Sequence, residues 1–331
     1  MKKIKKLLMV ICAAILIIGC LPLCSVSAET EGIFEYLIFQ DEAYLTGLTT
    51  EVEGEVIIPD TLGGKPVVQI NDWAFENGKK VTSIVLPNTL TTIYRNSLNA
   101  TSITSITIPA SVENIYCTFA YCLSLESIEV DDANPYFSAV DGILFNKDKT
   151  ELIQYPAAKT GVSYTVPSGV KTLHSTAFVY NQHIQEIILP DTLATIHSEA
   201  LLHCTSLKKI VIPYSVVELQ DSGLGFGIDE NDYGNYYKLS DIVIHCYAGT
   251  AAEQHAYEYG FNTIILNKQG DLNGNDDIDA EDALVALKLV VNKVVATPGL
   301  TEIADVNGDG SVTAADALEI LKKKVGKNSC F

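Results

Sequence analysis

Short apolar runs that end in proline recur through the middle of this chain: Ile84-Val85-Leu86-Pro87, Ile106-Thr107-Ile108-Pro109, Tyr164-Thr165-Val166-Pro167, Ile187-Ile188-Leu189-Pro190 and Ile210-Val211-Ile212-Pro213. The prolines are 22 residues apart from Pro87 to Pro109, and 23 apart from Pro167 to Pro190 and on to Pro213. An apolar residue follows three positions after each proline and another at six, and a pair such as Ala-Phe often closes the unit. Val56-Ile57-Ile58-Pro59 opens an earlier, longer unit that ends in Trp73-Ala74-Phe75. Each unit predicts one short strand and a turn. A period in this range means a solenoid, whose coils bury their apolar faces only against their neighbours.

The pattern changes after residue 265. Leu284, Leu287 and Val291 fall on one helix face, and Leu318, Leu321 and Val325 repeat that face 34 residues later. Before each helix stands a twelve-residue segment rich in oxygen side chains. The first offers Asp271, Asn273, Asn275, Asp277, Asp279 and Asp282; the second offers Asp305, Asn307, Asp309, Ser311, Thr313 and Asp316. Ca²⁺ is a hard cation that takes six to eight oxygens, and alternate spacing along one segment wraps the chain around it. Asp, Asn and Gly also favour plain turns; the duplication, with a helix after each loop, favours two calcium loops and two bound ions. Ile278 and Val312, at the eighth position of each loop, can anchor one loop to its twin.

The N-terminus carries Lys2, Lys3, Lys5 and Lys6, then an apolar stretch from Leu7 to Leu23 and the small-residue site Val26-Ser27-Ala28. This predicts a signal peptide over 1–28. Ile17-Ile18-Gly19-Cys20 is a rival, a lipoprotein box that would leave Cys20 lipidated on a membrane. The formal charge is −19, and loss of the four leader lysines leaves about −23, a surface that repels nucleic acid. Beyond the leader remain Cys117, Cys122, Cys204, Cys246 and Cys330, an odd set without paired spacing, which argues against a disulfide framework.

The repeats resemble the bacterial BspA-like leucine-rich repeats, over 52–265 after an N-terminal cap at 29–51. Irregular parts match as well: Asn134-Pro135-Tyr136-Phe137-Ser138 with Asp141-Gly142-Ile143-Leu144-Phe145-Asn146 is that family's inserted hairpin-like unit, and Cys246 through Phe261 resembles its closing unit. In such repeats Cys122 and Cys204 are packing residues. The segment 266–331 resembles a type I dockerin, with Asp rather than Glu at position 12 of each loop and a strand, not a helix, before Asp271. It departs from the pattern at loop position 6, where Asp276 replaces glycine. The resemblance implies a mainly β leucine-rich-repeat solenoid of short parallel strands plus a small all-α dockerin. It implies calcium-dependent binding to a cohesin domain of a scaffoldin through Ala280, Glu281, Leu287 and Lys288 in one half and Ala314, Ala315, Leu321 and Lys322 in the other. One or two docking modes both fit that set.

Catalytic patterns are missing. The six histidines show no metal spacing, and there is no nucleophile-elbow motif. One column departs from the family: seven residues after the repeat prolines stand Tyr94, Tyr116, His174 and His197. Coils stack near the ~4.8 Å inter-strand spacing, so these rings either stiffen the solenoid or offer a surface to a protein or carbohydrate ligand. The sequence thus predicts a secreted, non-catalytic component of a cellulosome-like complex. A surface adhesin and a polysaccharide-degrading hydrolase are the alternatives. Gly223 to Lys238 reads as a loop inserted in the array.

Overall fold

The computed structural model describes residues 28–116, 119–229, 235–327 and 329–331. The leader and its two cleavage sites lie outside the described residues, apart from Ala28, as does Cys117. Among the described residues no helix is long and apolar enough to cross a membrane.

Three antiparallel strands, Glu29–Glu31, Phe34–Phe39 and Glu42–Leu48, open the fold, and the third pairs in parallel with Lys65–Ile70. From there each proline-marked coil contributes a strand ahead of its proline and one after it, two residues long from Pro87 onward, and later coils add strands without the proline. The longer ones stack in parallel as Ser163–Thr165, Glu186–Ile188, Lys209–Val211, Val243–Cys246 and Asn262–Ile265. The short ones stack likewise, with Ile70, Ile93 and Ile115 in register and then Leu173, Ile196 and Leu219.

Parallel register without slippage places each apolar residue of one coil over its equivalent in the next. The residues three after proline, Leu90, Val112, Val170, Leu193 and Val216, are all at most 1 % exposed. Full burial of such a side chain contributes about 1.5–3 kcal/mol, repeated at every coil. The insert after Val130 forms the hairpin Phe137–Val140 and Ile143–Asn146, turned by Asp141 and Gly142 at φ 52° and 73°. Two central residues with positive φ match the right-handed twist of the strands they join. The chain then forms Glu151–Gln154, which pairs with Thr172–Leu173 and so supplies a coil's second strand. The core accordingly divides into one cluster ahead of the insert and one beyond it.

The tight turns bury carbonyls that need donors. Cys122 Sγ donates to Leu98 O at 3.2 Å and Cys204 Sγ to Phe178 O at 3.1 Å. Both thiols are pushed up to about 12 by burial. They are packing residues that cap a turn, and Cys122, Cys204, Cys246 and Cys330 are all unpaired thiols. Among the described residues after Gly223, Phe226–Ile228 and Tyr236–Lys238 pair antiparallel. The segment's Gly and Asn content masks the short strands.

Beyond Asn262–Ile265 come helices α2 (Ala280–Val290), α3 (Pro298–Ala304) and α4 (Ala314–Lys324); α1 (Ala251–Tyr259) precedes that strand and caps the solenoid. Leu272, Ala283, Ala286, Leu289, Leu300, Ile303, Val306, Ala317 and Ile320 make the small core of the C-terminal unit, and Ala248 of the solenoid belongs to it too.

Candidate functional site

The two oxygen-rich segments fold alike. Asp271 Oδ1 accepts from the N–H groups of Gly274 and Asn275 at 2.8 and 3.2 Å, and its Oδ2 from Asp276 at 3.1 Å. Thirty-four residues on, Asp305 accepts from Gly308, Asp309 and Gly310 at 2.8, 3.1 and 2.8 Å. Asn273 and Asn307 each accept from the N–H two residues later, and so do Asn275 and Asp309. These bonds curl the main chain around each segment's first carboxylate. Asp279 and Thr313 cap α2 and α4, and Asp282 and Asp316 complete a capping box in each case. The last two side chains are fully buried. Asp282 also holds the N–H groups of Leu272 and Asn273, and Asp316 that of Asn307.

Every donor in both segments is an oxygen, which suits a hard cation. Carboxylates supply four of the six side chains in the first set and three in the second, while amides and hydroxyls supply the rest. Among the described residues no group of three or more His, Cys, Asp or Glu side chains is arranged to hold a metal ion. The carboxylates are instead directed at backbone N–H groups. Asp271 is 1 % exposed, and burial pushes its carboxyl up from the ordinary value, with the Asp282 charge adding to that and the loop N–H donors opposing it. Asp277 stands exposed at the rim. Asp276 adopts φ 68° where its counterpart Gly310 adopts 87°, so the sequence departure sits at a left-handed position, and it pairs with Lys268 at 2.9 Å.

The apolar stripes found in the sequence face outward. Leu284, Leu287 and Val291 are 50 %, 41 % and 60 % exposed, and Leu318, Leu321 and Val325 are 54 %, 38 % and 63 %. Ala283, Ala286 and Leu289, with Ala317 and Ile320, make the buried face instead. The module therefore carries two matched apolar strips on helices that pack against each other. Ala280, Glu281, Lys288, Ala314 and Ala315 are exposed as well, while Lys322 is partly covered and bonded to Glu319 at 2.5 Å.

Sequence reasoning missed α3 and the seam it makes. Thr297 and Pro298 are its N-cap and first residue, a start signal legible in the sequence. Glu253 of α1 is 3 % exposed and accepts from Gly249 N and Gly299 N, each at 2.7 Å, and from the Thr297 hydroxyl. Asn267 accepts from Ala248 N at 2.6 Å and donates to Asp271 O at 2.8 Å. The helical unit is thus held against the solenoid's last coil by buried polar contacts. Beside α1 and α3 an open cavity of about 670 Å³ is lined by Tyr257, Phe261, Thr263, Pro298 and Glu302 among others.

The rings in the repeat column are paired but not stacked flat. Tyr94 and Tyr116 have centroids 5.4 Å apart and planes at 44°, and His174 and His197 lie 6.5 Å apart, edge to face. The tyrosines are 40 % and 48 % exposed. A second ladder lies outside the proline spacing: Tyr121, Tyr180 and His203 follow one another at 4.4 and 4.5 Å. All three have positive φ, 63°, 60° and 59°, a costly conformation for ring side chains.

Family models match both parts of the chain. The BspA type leucine rich repeat region matches in six copies over residues 55–157 and 159–225, more than half of the chain, and the dockerin type I domain matches residues 269–325. No curated protein matches. Among solved structures, a leucine rich cell surface protein from Faecalibacterium prausnitzii A2-165 is similar at 17 % identity and TM-score 0.43, over 77 % of this chain and 99 % of its own. A leucine-rich repeat protein from Eubacterium ventriosum ATCC 27560 is similar at 18 % and 0.44, over 67 % and 72 %. One from Bacteroides ovatus ATCC 8483 is similar at 19 % and 0.40, over 71 % and 66 %. The stacked coils, the inserted hairpin and the paired loop–helix halves place this chain in the BspA type leucine rich repeat family, with a type I dockerin at its C-terminal end.

Proposed function

We propose that this protein is a secreted, non-catalytic assembly component. Its dockerin, over 266–331, docks on a cohesin of a scaffoldin, and its repeats, over 52–265, present a recognition surface to a protein or carbohydrate. The observation that carries this reading is the matched pair of exposed apolar strips, Leu284, Leu287 and Val291 beside Leu318, Leu321 and Val325. Exposed apolar side chains repeated on both halves of an otherwise acidic chain mark an interaction site. Around it stand Ala280, Glu281 and Lys288 in one half and Ala314, Ala315 and Lys322 in the other, with Glu281 and the two lysines as the polar part of the rim.

Two calcium ions would be held by Asp271, Asn273, Asn275, Asp277, Asp279 and Asp282, and by Asp305, Asn307, Asp309, Ser311, Thr313 and Asp316. Bound there, each ion neutralises carboxylates that otherwise repel, so binding free energy becomes folding free energy. The test is titration of the mature protein against a panel of cohesins, in calcium and in EDTA. Tight binding to one class, lost in EDTA, is the expected result; calcium uptake without binding to any cohesin would leave the adhesin reading in first place. Release of reducing sugar from a plant polymer would instead point to a hydrolase.

The first calcium site is expected to be the weaker. Left-handed φ costs a non-glycine residue about 1–2 kcal/mol, and the Lys268–Asp276 pair, exposed and screened by solvent, offsets little of it. Asp276→Gly should therefore tighten the first site several-fold and leave the second unchanged in calorimetric calcium titration.

For the repeats, the exposure of Tyr94 and Tyr116 supports a ligand surface on that pair, with His174 and His197 as a second short ladder. Replacing both tyrosines with alanine should abolish binding to whichever fibre or cell target the wild type retains. A loss of melting temperature with binding intact would make the column a stiffener.

A further inference from the structure

The dockerin's two halves repeat at 34 residues, so as an isolated module it could meet a partner in two orientations related by its internal two-fold. The solenoid breaks that equivalence. We propose that the last coil of the repeats fixes the dockerin in one pose and leaves only its second half, α4 with Ala314, Ala315, Leu318, Leu321 and Lys322, free to seat the cohesin. This rests on the docking reading above and adds to it the orientation.

Two glycines at the same loop position have different surroundings. A Cβ on Gly274 would lie 2.6 Å from Tyr214 Cδ2 and 3.0 Å from Tyr247 Cδ1, whereas a Cβ on Gly308 would meet nothing within 4 Å. Tyr214 and Tyr247, edge to face with centroids 6.1 Å apart, form a wall of the solenoid against the first loop. The second loop faces solvent from Gly308 to Ser311. The same contrast holds for the leading carboxylates, since Asp271 is buried and Asp305 is not.

The wall stands beside the residues that a partner on the first half would cover. Asn273, next to Gly274, places its amide 3.4 Å from the Glu281 carboxylate. A body seated over Ala280 and Glu281 therefore meets the tyrosines, while one seated over Ala314 and Ala315 does not. The pose is also held firmly. Five residues separate Ile265 from Asp271, and Asn267 among them is bonded on both sides, to Ala248 and to Asp271. Glu253 clamps the start of α3, and a Cβ on Gly249 would touch Leu300 at 3.1 Å, so the two surfaces are in direct contact beside the open cavity. Side-chain order points the same way. Glu319 holds Lys322 in place, whereas the residue three before Lys288 is Val285 and offers it no acid.

The experiment measures affinity of the full-length mature protein for an immobilised cohesin module in calcium. Three proteins are compared: wild type, Leu287→Ala with Lys288→Ala, and Leu321→Ala with Lys322→Ala. Leu287, Lys288 and Leu321 are exposed and Lys322 is half-buried, and an unchanged calcium-dependent melting curve shows that each variant is folded. Loss of a central apolar contact and its neighbouring charge typically costs about 100-fold. The expected result is a loss of that order for the second-half pair and a change below about threefold for the first-half pair. Equal small effects of the two pairs, with binding lost only when they are combined, would show two modes and overturn the proposal; so would a loss confined to the first half. If the wild type binds no cohesin at all, it is the docking reading that fails, and the orientation falls with it.

Discussion

Chelation of calcium is expected to melt the dockerin and loosen the last coil of the solenoid, while the first coils stay folded. The first loop crowds Asp271, Asp276, Asp277, Asp279, Glu281 and Asp282 into twelve residues, and a bound cation relieves the repulsion that the loop N–H donors and Lys268 offset only in part. A site held at a thousandfold excess over its dissociation constant stabilises the folded state by about 4 kcal/mol, so two sites give about 8. That is comparable with the whole stability of a small domain, about 5–15 kcal/mol. The module has little else to rely on, since its core is a handful of Ala, Leu, Ile and Val side chains. Ala248 and Ile265 of the last coil pack on that core, so its collapse uncovers Ile265 and frees the end of the strand Asn262–Ile265. In a solenoid the loss spreads mainly to nearest neighbours. Calorimetry in calcium and in EDTA should show one transition vanish. Hydrogen exchange should rise at Asn262–Ile265 and stay low around Ile93 and Ile115. Identical thermograms in the two buffers would mean that the loops are held by their own hydrogen bonds alone.

Those hydrogen bonds explain how much of the site could be read in advance. Oxygen side chains at alternate positions are visible in a string of letters, as are the helix stripes. The stripes gave period without direction. Alanines at 283, 286 and 317, which look neutral in a hydrophobicity pattern, turned out to form the buried face because two helices pack closely only across small residues. The strands before each proline were legible because identical coils impose identical registers. The ladder of Tyr121, Tyr180 and His203 was not, for two reasons. The insert separates its first two members by most of a further coil and a hairpin, and their offset from the repeat proline shifts by one residue. The seam was hidden for a different reason. Glu253 and Gly299 are 46 residues apart, and their meeting depends on how the superhelix ends, which no local pattern encodes. A glutamate in the first turn of a helix reads as a surface charge, and only the fold shows it buried under Thr297.

Asn181→Ala should be among the most damaging single substitutions in the repeats. The side chain is fully buried, and all four of its hydrogen-bonding directions are used. Its amide donates to Pro156 O and Ala157 O, both at 3.2 Å, and its carbonyl accepts from His183 N at 3.0 Å and Ile184 N at 2.9 Å. Asn134 makes the same four bonds at the insert, to Pro109 O and Val112 O and from Tyr136 N and Phe137 N. One amide thus ties a turn to the preceding coil and starts the next strand. Truncation leaves backbone groups buried without partners at about 1–3 kcal/mol each, and partial rescue by water brings the expected loss to about 4 kcal/mol. Asn181→Asp keeps the shape and the two accepted bonds but turns an oxygen towards two carbonyls, so it should be damaging as well. A purely volumetric effect would spare it. Trp73, the only tryptophan, lies in the first core cluster's coils, whereas Asn181 lies in the second. In the variant, circular dichroism should therefore move to lower denaturant ahead of Trp73 fluorescence, since the array loses its single cooperative transition where the amide is missing. Coincident transitions at the wild-type midpoint would show that these four bonds contribute nothing net.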